Sequence, residues 1–316
     1  MTNKPILLTS RLALLFLLLP FIGAAAQTAP TPNRLMTAHG TPDSKEVDLM
    51  MFMGQSNMAG RGVTSPKWPA EAPAIIDGAG YEFRAVSDPT KLYPIAEPFG
   101  KDENRSGISE TKKTGSMVTA FVNSYYTKCK VPVVAVSASK GGTSSSQWQP
   151  SGTLLPEAVD RLQAAKAFLT ANGYTVQHIY MVWCQGCSDG DANVSAEAYK
   201  RNFDTIFTTM KANGVEKCFV VRIGEINSAP YTKYDAIMQC QTDMCRENED
   251  YVLVSTELAS FRKLGLMKDT FHYYQEGYNR VGTHAGANAA EYRMYNKEPM
   301  MYDPKTDSIY YSKNSY

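Results

Sequence analysis

The sequence has 316 residues, of which 43% are hydrophobic and 20% charged, and its 32 Lys and Arg residues balance 31 Asp and Glu residues. Apolar content this close to the globular average excludes a disordered tail, a collagen or a coiled coil, and the length allows one large domain or two smaller ones. A formal net charge of +1 lacks the basic excess that a phosphate backbone requires, so no nucleic-acid partner is expected.

The N-terminus has the pattern of a secretory signal peptide. Lys4 and Arg11 precede an apolar run at residues 12–22, and the alanines at 24–26 are small residues suited to cleavage. The run is much shorter than the roughly 20 residues of a membrane-spanning helix, so cleavage near Gln27 is favoured over a membrane anchor. We therefore expect export to the periplasm or the medium without stable membrane insertion. The predicted segments are a signal peptide at 1–26, a leader at 27–45 and one main domain at 46–316.

Beyond the leader, short apolar strands alternate with longer helical stretches. The first predicted strand, residues 47–53, is almost continuously apolar, which is typical of a strand covered on both faces. Further strands are predicted at 131–138, 176–184, 217–224 and 251–257. Helices with 3.6-residue periodicity are predicted at 116–129, 155–171, 196–212, 231–246 and 275–295. This alternation predicts an α/β fold, in which helices cover both faces of a mainly parallel sheet within one domain.

Two segments depart from the alternation. Residues 60–113 are rich in Pro, Gly and Ser and weakly periodic, so we expect a long surface excursion of the kind that often shapes a site. Residues 300–316 are rich in Tyr and contain a turn signal at 303–307, which predicts a small hairpin.

All six cysteines lie in the part of the chain that is expected to be exported, where disulfides are permitted. Their pairing is left open, although Cys240 and Cys245 are close enough in sequence to bridge locally. Cys184 and Cys187 form the one Cys-x-x-Cys pair, and no second pair stands at metal spacing, so a zinc site is not favoured.

The residues that follow the predicted strands carry the chemistry, because ligands of an open parallel sheet bind outside the carboxyl ends of its strands. Ser56 follows the first strand within the glycine-bracketed segment 54–60, which indicates an exposed hydroxyl or else a capped turn. Gly141 and Gly142 follow the second strand and can present N–H groups to an oxyanion, although a flexible loop would look the same. Gln185 follows the third strand and is either a side-chain donor or part of a surface turn.

A general base can be chosen among the four histidines. His39 falls in the predicted leader, His178 lies within an apolar strand, and His284 has no acid at orienting distance in the sequence. Asp269 stands three residues before His272 at a loop-to-helix junction, so its carboxylate can contact one imidazole nitrogen and leave the other free to accept a hydroxyl proton. His272 is therefore the predicted base.

Together these segments resemble the SGNH hydrolase superfamily and, within it, the branch that contains sialate O-acetylesterase domains and the family 6 carbohydrate esterases (acetylxylan esterases). The matching blocks, in order, are GQSNMAG at 54–60, GGTSSSQW at 141–148, WCQGCSD at 183–189 and DTFHYYQEGY at 269–278. The resemblance implies a flavodoxin-like three-layer α/β/α sandwich with Ser56 as nucleophile, His272 as base and Asp269 as its partner. It also implies an oxyanion hole built from the Ser56 and Gly142 backbone and the Gln185 side chain, with Gly141 as the alternative glycine.

One position departs from the pattern of the branch. Cys187 stands where the branch usually has Glu, which removes a carboxylate from beside the predicted oxyanion-donating loop. A bridge between Cys184 and Cys187, or from either to another cysteine, is one hypothesis for how that loop is stiffened.

The resemblance implies hydrolysis of carbohydrate acetyl esters through an acyl-enzyme, with no metal or organic cofactor. Acetylated xylan or a similar plant polysaccharide is the expected substrate and O-acetyl sialic acid the next, since a nearly neutral chain suits an uncharged glycan. Gln55, Asn57 and Trp148 are predicted to bind substrate, with Trp148 and Trp183 as stacking platforms. A carbohydrate-binding protein that has lost catalysis, and a lipase or thioesterase, stay open as alternatives because a fold constrains chemistry more than substrate.

Overall fold

The computed structural model describes residues 45–62, 71–104 and 106–315, together with Met1. The predicted signal peptide and almost all of the predicted leader, with His39, lie outside the described residues, as does the stretch 63–70 of the predicted surface excursion. No helix within the described ranges is long and apolar enough to cross a membrane.

A seven-stranded sheet forms the centre of the fold. Its strands are β1 (Glu46–Gly54), β2 (Gly80–Arg84), β3 (Asp88–Pro94), β4 (Val133–Ser139), β5 (Thr175–Cys184), β6 (Lys217–Val221) and β7 (Tyr251–Ser255). Their order across the sheet is β3-β2-β4-β1-β5-β6-β7, and all neighbours are parallel except the β2–β3 pair. The run β4-β1-β5-β6-β7 has the flavodoxin-like order, which confirms the predicted fold class.

Helices cover both faces of this sheet. They are α1 (Ser56–Ala59), α2 (Val118–Cys129), α3 (Leu154–Ala171), α4 (Cys187–Asp191), α5 (Ala196–Ala212), α6 (Asp235–Glu247) and α7 (Gln275–Tyr295). On one face, α2 and α7 pack against Met50 and Phe52 of β1. On the other face, α3, α5 and α6 pack against Leu49, Met51 and Met53. Because β1 is buried on both sides, its sequence is almost continuously apolar rather than alternating.

The predicted excursion at 60–113 is wrong in part, because it contains β2 and β3. The strand β2 has only five residues and includes Glu82 and Arg84, so it does not read as a buried strand. The strand β3 lies at the sheet edge, is mostly exposed and carries Pro89 and Pro94, which is typical of an edge and uninformative in sequence. At the other end of the chain, β8 (Met301–Asp303) and β9 (Ser308–Tyr310) pair as an antiparallel hairpin in the segment where the sequence predicts one.

All six cysteines are free thiols, and the described chain contains no disulfide. Cys240 and Cys245 both lie on α6, where a spacing of five residues points the two side chains to different sides of the helix. The local bridge considered for this pair is therefore not formed, and neither is one between Cys184 and Cys187.

Candidate active site

The loops that follow β1, β4 and β5 meet at the carboxyl edge of the sheet. The N–H of Gln55 donates to the carbonyl of Cys184 at 3.1 Å, and the N–H of Lys140 donates to the carbonyl of Gly54 at 2.9 Å. The first residue of the loop after β1 is thus bonded to the end of β5, and the first residue of the loop after β4 to the end of β1. The short helix α1 begins at Ser56, so this serine lies directly beyond β1 and between the other two loops.

The loop before α7 brings an acid and a base to this serine. His272 Nε2 lies 3.0 Å from Ser56 Oγ, and His272 Nδ1 lies 3.0 Å from Asp269 Oδ2. The other carboxylate oxygen of Asp269 accepts the N–H groups of Phe271 and His272 at 2.8 Å each. Because one carboxylate both closes the turn and contacts the imidazole, the spacing of three residues fixes the orientation of the ring. The three residues predicted to act together therefore lie in one hydrogen-bonded chain.

The surroundings of this chain favour a neutral imidazole beside an ionised carboxylate. Burial lowers the pKa of His272, Asp269 raises it, Arg61 and Lys268 lower it again, and the result is below the usual range. Burial acts to raise the pKa of Asp269, but the N–H groups of Phe271 and His272 and the imidazole outweigh it, so that pKa is lowered. In these protonation states Nδ1 donates to Asp269, and Nε2 accepts the hydroxyl proton of the serine.

Two backbone N–H groups beside Ser56 are free to bind an anion. The N–H groups of Ser56 and Gly142 have no hydrogen-bond partner within the described ranges, whereas that of Gly141 donates to Glu110 Oε2 at 2.6 Å. Gly142 has a φ of +73°, which favours glycine at this position. Of the two glycines that the sequence leaves as alternatives, Gly142 is thus the one with an available donor.

Gln185 does not face the pocket, in contrast to its predicted role as an oxyanion donor. The residue is fully buried. Its Nε2 donates to the carbonyl of Thr143 at 3.0 Å and to Asp189 Oδ2, so both amide hydrogens are committed. Asp189 in turn accepts the N–H of Ser145 at 2.9 Å. Gln185 therefore joins the loops after β4 and β5 and has no N–H left for a substrate.

Gln55 instead presents a free side-chain amide to the pocket. Its Oε1 accepts the N–H groups of Gly186 at 3.0 Å and Ser188 at 3.3 Å, which fixes the orientation of the amide because only an oxygen can accept both. Its Nε2 has no partner in the described part of the chain, and the residue lines the pocket around Ser56. The placement is compatible with the predicted contact between Gln55 and substrate.

The other two residues predicted to bind substrate are buried away from the pocket. Asn57 is 1% exposed, accepts the Tyr278 hydroxyl at 2.7 Å and donates to the Phe271 carbonyl at 3.2 Å. Trp148 is fully buried, donates to Thr143 Oγ1 at 2.9 Å and packs edge-on against Trp183. These predictions are corrected: Asn57 holds the loop that carries His272, and the two tryptophans are core residues rather than stacking platforms.

The pocket itself has a volume of about 480 Å³ and includes residues that the sequence does not single out. Arg61, Glu110, Lys112 and Phe271 line it together with Ser56 and its neighbours. Arg61 directly follows the first motif block and Phe271 directly precedes His272, so their positions were a usable signal. Glu110 lies within the weakly patterned segment 60–113, where no signal marks it.

Cys187 also lines the pocket, at the start of α4. Burial, with a smaller contribution from Asp191, raises the pKa of its thiol to about 12, so the group is uncharged at neutral pH. Its Sγ lies 3.9 Å from Asn57 Nδ2. A neutral thiol therefore occupies the position at which the resembling branch usually carries a carboxylate.

This flavodoxin-like sheet order, with a serine, a histidine and an aspartate at its carboxyl edge, is that of an SGNH-type hydrolase. The chain belongs to the carbohydrate esterase family of sialic acid-specific acetylesterases, whose family model matches residues 46–291. It is accordingly a carboxylic ester hydrolase that acts on carbohydrates, and the family expected from the motif blocks is confirmed.

Solved structures agree on the fold. A protein from Arabidopsis thaliana is 20% identical over 77% of this chain and 97% of its own, with a TM-score of 0.59. NanS is 11% identical over 80% of this chain and 99% of its own, with a TM-score of 0.51. No curated protein matches the sequence. At these identities the structural likeness supports the architecture alone.

Proposed function

We propose that this protein removes O-acetyl groups from a carbohydrate, with Ser56 as nucleophile, His272 as general base and Asp269 as the group that orients the base. The observation that carries this proposal is the imidazole of His272, which lies 3.0 Å from Ser56 Oγ on one side and 3.0 Å from the Asp269 carboxylate on the other. Such a chain at the floor of an open pocket is the arrangement that activates a serine hydroxyl.

The reaction proceeds in two halves. His272 Nε2 takes the Ser56 proton as Oγ attacks the acetyl carbonyl, and the imidazolium then gives the proton to the sugar oxygen as its bond to the acetyl carbon breaks. Water attacks the acyl-enzyme in the second half, again with His272 as base, which releases acetate and restores Ser56. The N–H groups of Ser56 and Gly142 and the Gln55 amide are the donors for the oxyanion that forms in each half. Each such donor is worth roughly 3 kcal/mol of transition-state stabilisation.

An aromatic wall beside the base supports a glycan substrate. Phe271 is 39% exposed, lines the pocket and lies next to His272, with ring centroids 6.0 Å apart. Its N–H donates to Asp269 and its carbonyl accepts from Asn57, so the backbone that carries the ring is held on both sides. We propose that a sugar ring packs on Phe271, the role that the sequence suggested for Trp148.

Acetylated xylan or a similar neutral plant polysaccharide is the first proposed substrate. O-acetyl sialic acid is the second, and the family description and two pocket cations support it as the alternative. Lys112 and Lys140 line the pocket, and neither forms an ion pair with another described residue, so a substrate carboxylate could approach them.

We further propose that the protein is exported, on the basis of the N-terminal pattern. N-terminal sequencing of the protein purified from its native host tests this proposal, and we expect the mature chain to begin near Gln27.

Acetate release from a panel of substrates tests the function. The panel is acetylated xylan, acetylated mannan, O-acetyl sialic acid and a short lipid ester, each with the wild-type protein, Ser56→Ala and the matched pocket control Ser188→Ala. We expect Ser56→Ala to be close to inactive and Ser188→Ala to be active. Release of acetate at wild-type rate by Ser56→Ala would refute the assignment. Glycan binding by the wild-type protein without acetate release would favour the alternative of an inactive binding protein.

A further inference from the structure

An ion pair that the mechanism above does not use forms one wall of the pocket. Arg61 Nη2 lies 2.8 Å from Glu110 Oε2, and the two side chains are only 11% and 8% exposed. Arg61 Nη1 also donates to the carbonyl of Gly60 at 3.0 Å, while Glu110 Oε1 accepts the N–H of Lys112 at 2.9 Å. Each member of the pair is therefore anchored to the backbone as well as to its partner.

The same carboxylate holds the loop that follows β4. Glu110 Oε2 accepts the N–H of Gly141 at 2.6 Å. Gly141 lies between the ion pair and the nucleophile, since a Cβ built on it would stand 2.4 Å from Arg61 Nη2 and 3.4 Å from Ser56 Cβ. Because the N–H of Gly141 is committed to Glu110, the loop offers the pocket one N–H, that of Gly142, from a fixed position.

The charges of the pair act on the same place. An unpaired carboxylate beside Ser56 would repel the negative charge that develops on the acetyl oxygen, and Arg61 cancels it. The positive charge of Arg61 also lowers the pKa of His272. Of the other charged groups around His272, Asp269 raises this pKa and Lys268 lowers it, while Glu110, Asp191, Lys112 and Lys140 line the same pocket.

We propose that the Arg61–Glu110 pair is the positioning element of the oxyanion site. Glu110 sets the place of the Gly142 N–H by holding Gly141, and Arg61 neutralises Glu110 beside the developing oxyanion. Neither side chain needs to touch the reacting atoms, so both are positioning residues. The inference rests on the proposed function, in which Ser56 attacks an acetyl ester.

Steady-state kinetics with 4-nitrophenyl acetate test the positioning. We expect Glu110→Ala to lower kcat by about 10- to 100-fold, because loss of a whole oxyanion donor costs roughly 100- to 1000-fold and here the donor is displaced rather than removed. KM should change by less than about threefold, since the ground-state ester does not depend on the oxyanion contact. The matched control is Arg262→Gln, which breaks the 2.7 Å pair with the similarly buried Glu225 outside the pocket lining. This control should keep wild-type kcat.

The acid limb of kcat/KM provides a readout that a purely structural role would not move. Arg61→Gln removes a positive charge and should shift the limb to higher pH, whereas Glu110→Gln removes a negative charge and should shift it to lower pH, each by roughly half a unit. This measurement needs only the two Gln variants, so it tests the inference even if Glu110→Ala does not fold.

Wild-type kcat in Glu110→Ala, or equal limbs in the two Gln variants, would overturn the inference. Loss of wild-type activity in Ser56→Ala tests the proposed function separately. Failure of the inference can therefore be distinguished from failure of the proposed function.

Discussion

Gly141 and Gly142 are adjacent in the loop that follows β4, so the role of this loop can be tested by adding a single methyl group at either position. Alanine at position 141 would place a Cβ 2.4 Å from Arg61 Nη2 and 2.5 Å from Glu110 Oε2. Alanine at position 142 would place its Cβ in open space, with no atom within 4 Å, although the φ of +73° disfavours any side chain. The two substitutions therefore separate displacement of the loop from backbone strain.

The magnitudes follow from these distances. Ordinary contacts begin near 3.4 Å, so Gly141→Ala requires a movement of about 1 Å, either of the ion pair away from the loop or of the loop toward Ser56. A misplacement of that size costs about 100-fold in rate, and the overpacking costs about 1–3 kcal/mol of stability. Gly142→Ala costs about 1 kcal/mol through its left-handed backbone, which lowers the Tm by roughly 2–4 °C. Its rate should stay within about threefold of wild type, because the N–H of residue 142 keeps its place.

Hydrolysis of 4-nitrophenyl acetate and thermal unfolding, measured on the same preparations, check both quantities. The expected pattern is a large loss of kcat in Gly141→Ala and a loss confined to Tm in Gly142→Ala. Near-wild-type kcat in Gly141→Ala, or a greater loss in Gly142→Ala than in Gly141→Ala, would refute the reasoning from the loop.

Three further predictions concern the pocket. Burial lowers the pKa of His272, and its neutral imidazole is the proposed base, so kcat/KM should fall with acid through a midpoint below about pH 6.5. A pH-independent rate between 5 and 8 would contradict this role. Gln55→Glu keeps the acceptor for two loop N–H groups but removes the free donor, so kcat should fall about 100-fold with little change in Tm. Gln185→Ala should mainly lower Tm, because Gln185 joins two loops. The reverse pattern would return the oxyanion role to Gln185. Phe271→Ala should raise KM for acetylated xylo-oligosaccharides, and this increase should be roughly three- to tenfold larger than the increase in KM for methyl acetate. Equal increases for the two substrates would argue against stacking.

The fold could be predicted where the sequence has continuous apolar runs or apolar residues at helical spacing. Five strands of the sheet and five long helices follow from apolar runs and helical spacing, because both faces of β1 and its parallel neighbours are buried. The strands β2 and β3 could not be predicted, since the first is short and mixed with charge and the second is an exposed edge. Strand order also lay beyond the sequence, because it depends on contacts between segments far apart in the chain.

The site was predictable only as far as local spacing determines geometry. Asp269 stands three residues before His272, and a turn of that length brings its carboxylate within 3.0 Å of the imidazole. Trp148 and Asn57 are different, because a motif shows that a residue stands near the site but not which way its side chain points. Gln185 and Gln55 likewise both follow strand ends and carry side-chain amides. Only their hydrogen bonds show that Gln185 Nε2 joins two loops whereas Gln55 Nε2 stays free to donate.

These loop ties also explain how the chain can carry Cys187 at a position where a carboxylate is usual. The loop after β5 is held by Gln55 Oε1 through two backbone N–H groups, and by Gln185 and Asp189 through contacts with the loop after β4. None of these bonds involves the side chain of residue 187, whose Sγ makes one long contact with Asn57. A neutral thiol therefore removes no support from the loop, and no disulfide is needed to replace a missing carboxylate. The substitution instead leaves this part of the pocket wall uncharged at neutral pH, because burial raises the pKa of the Cys187 thiol to about 12.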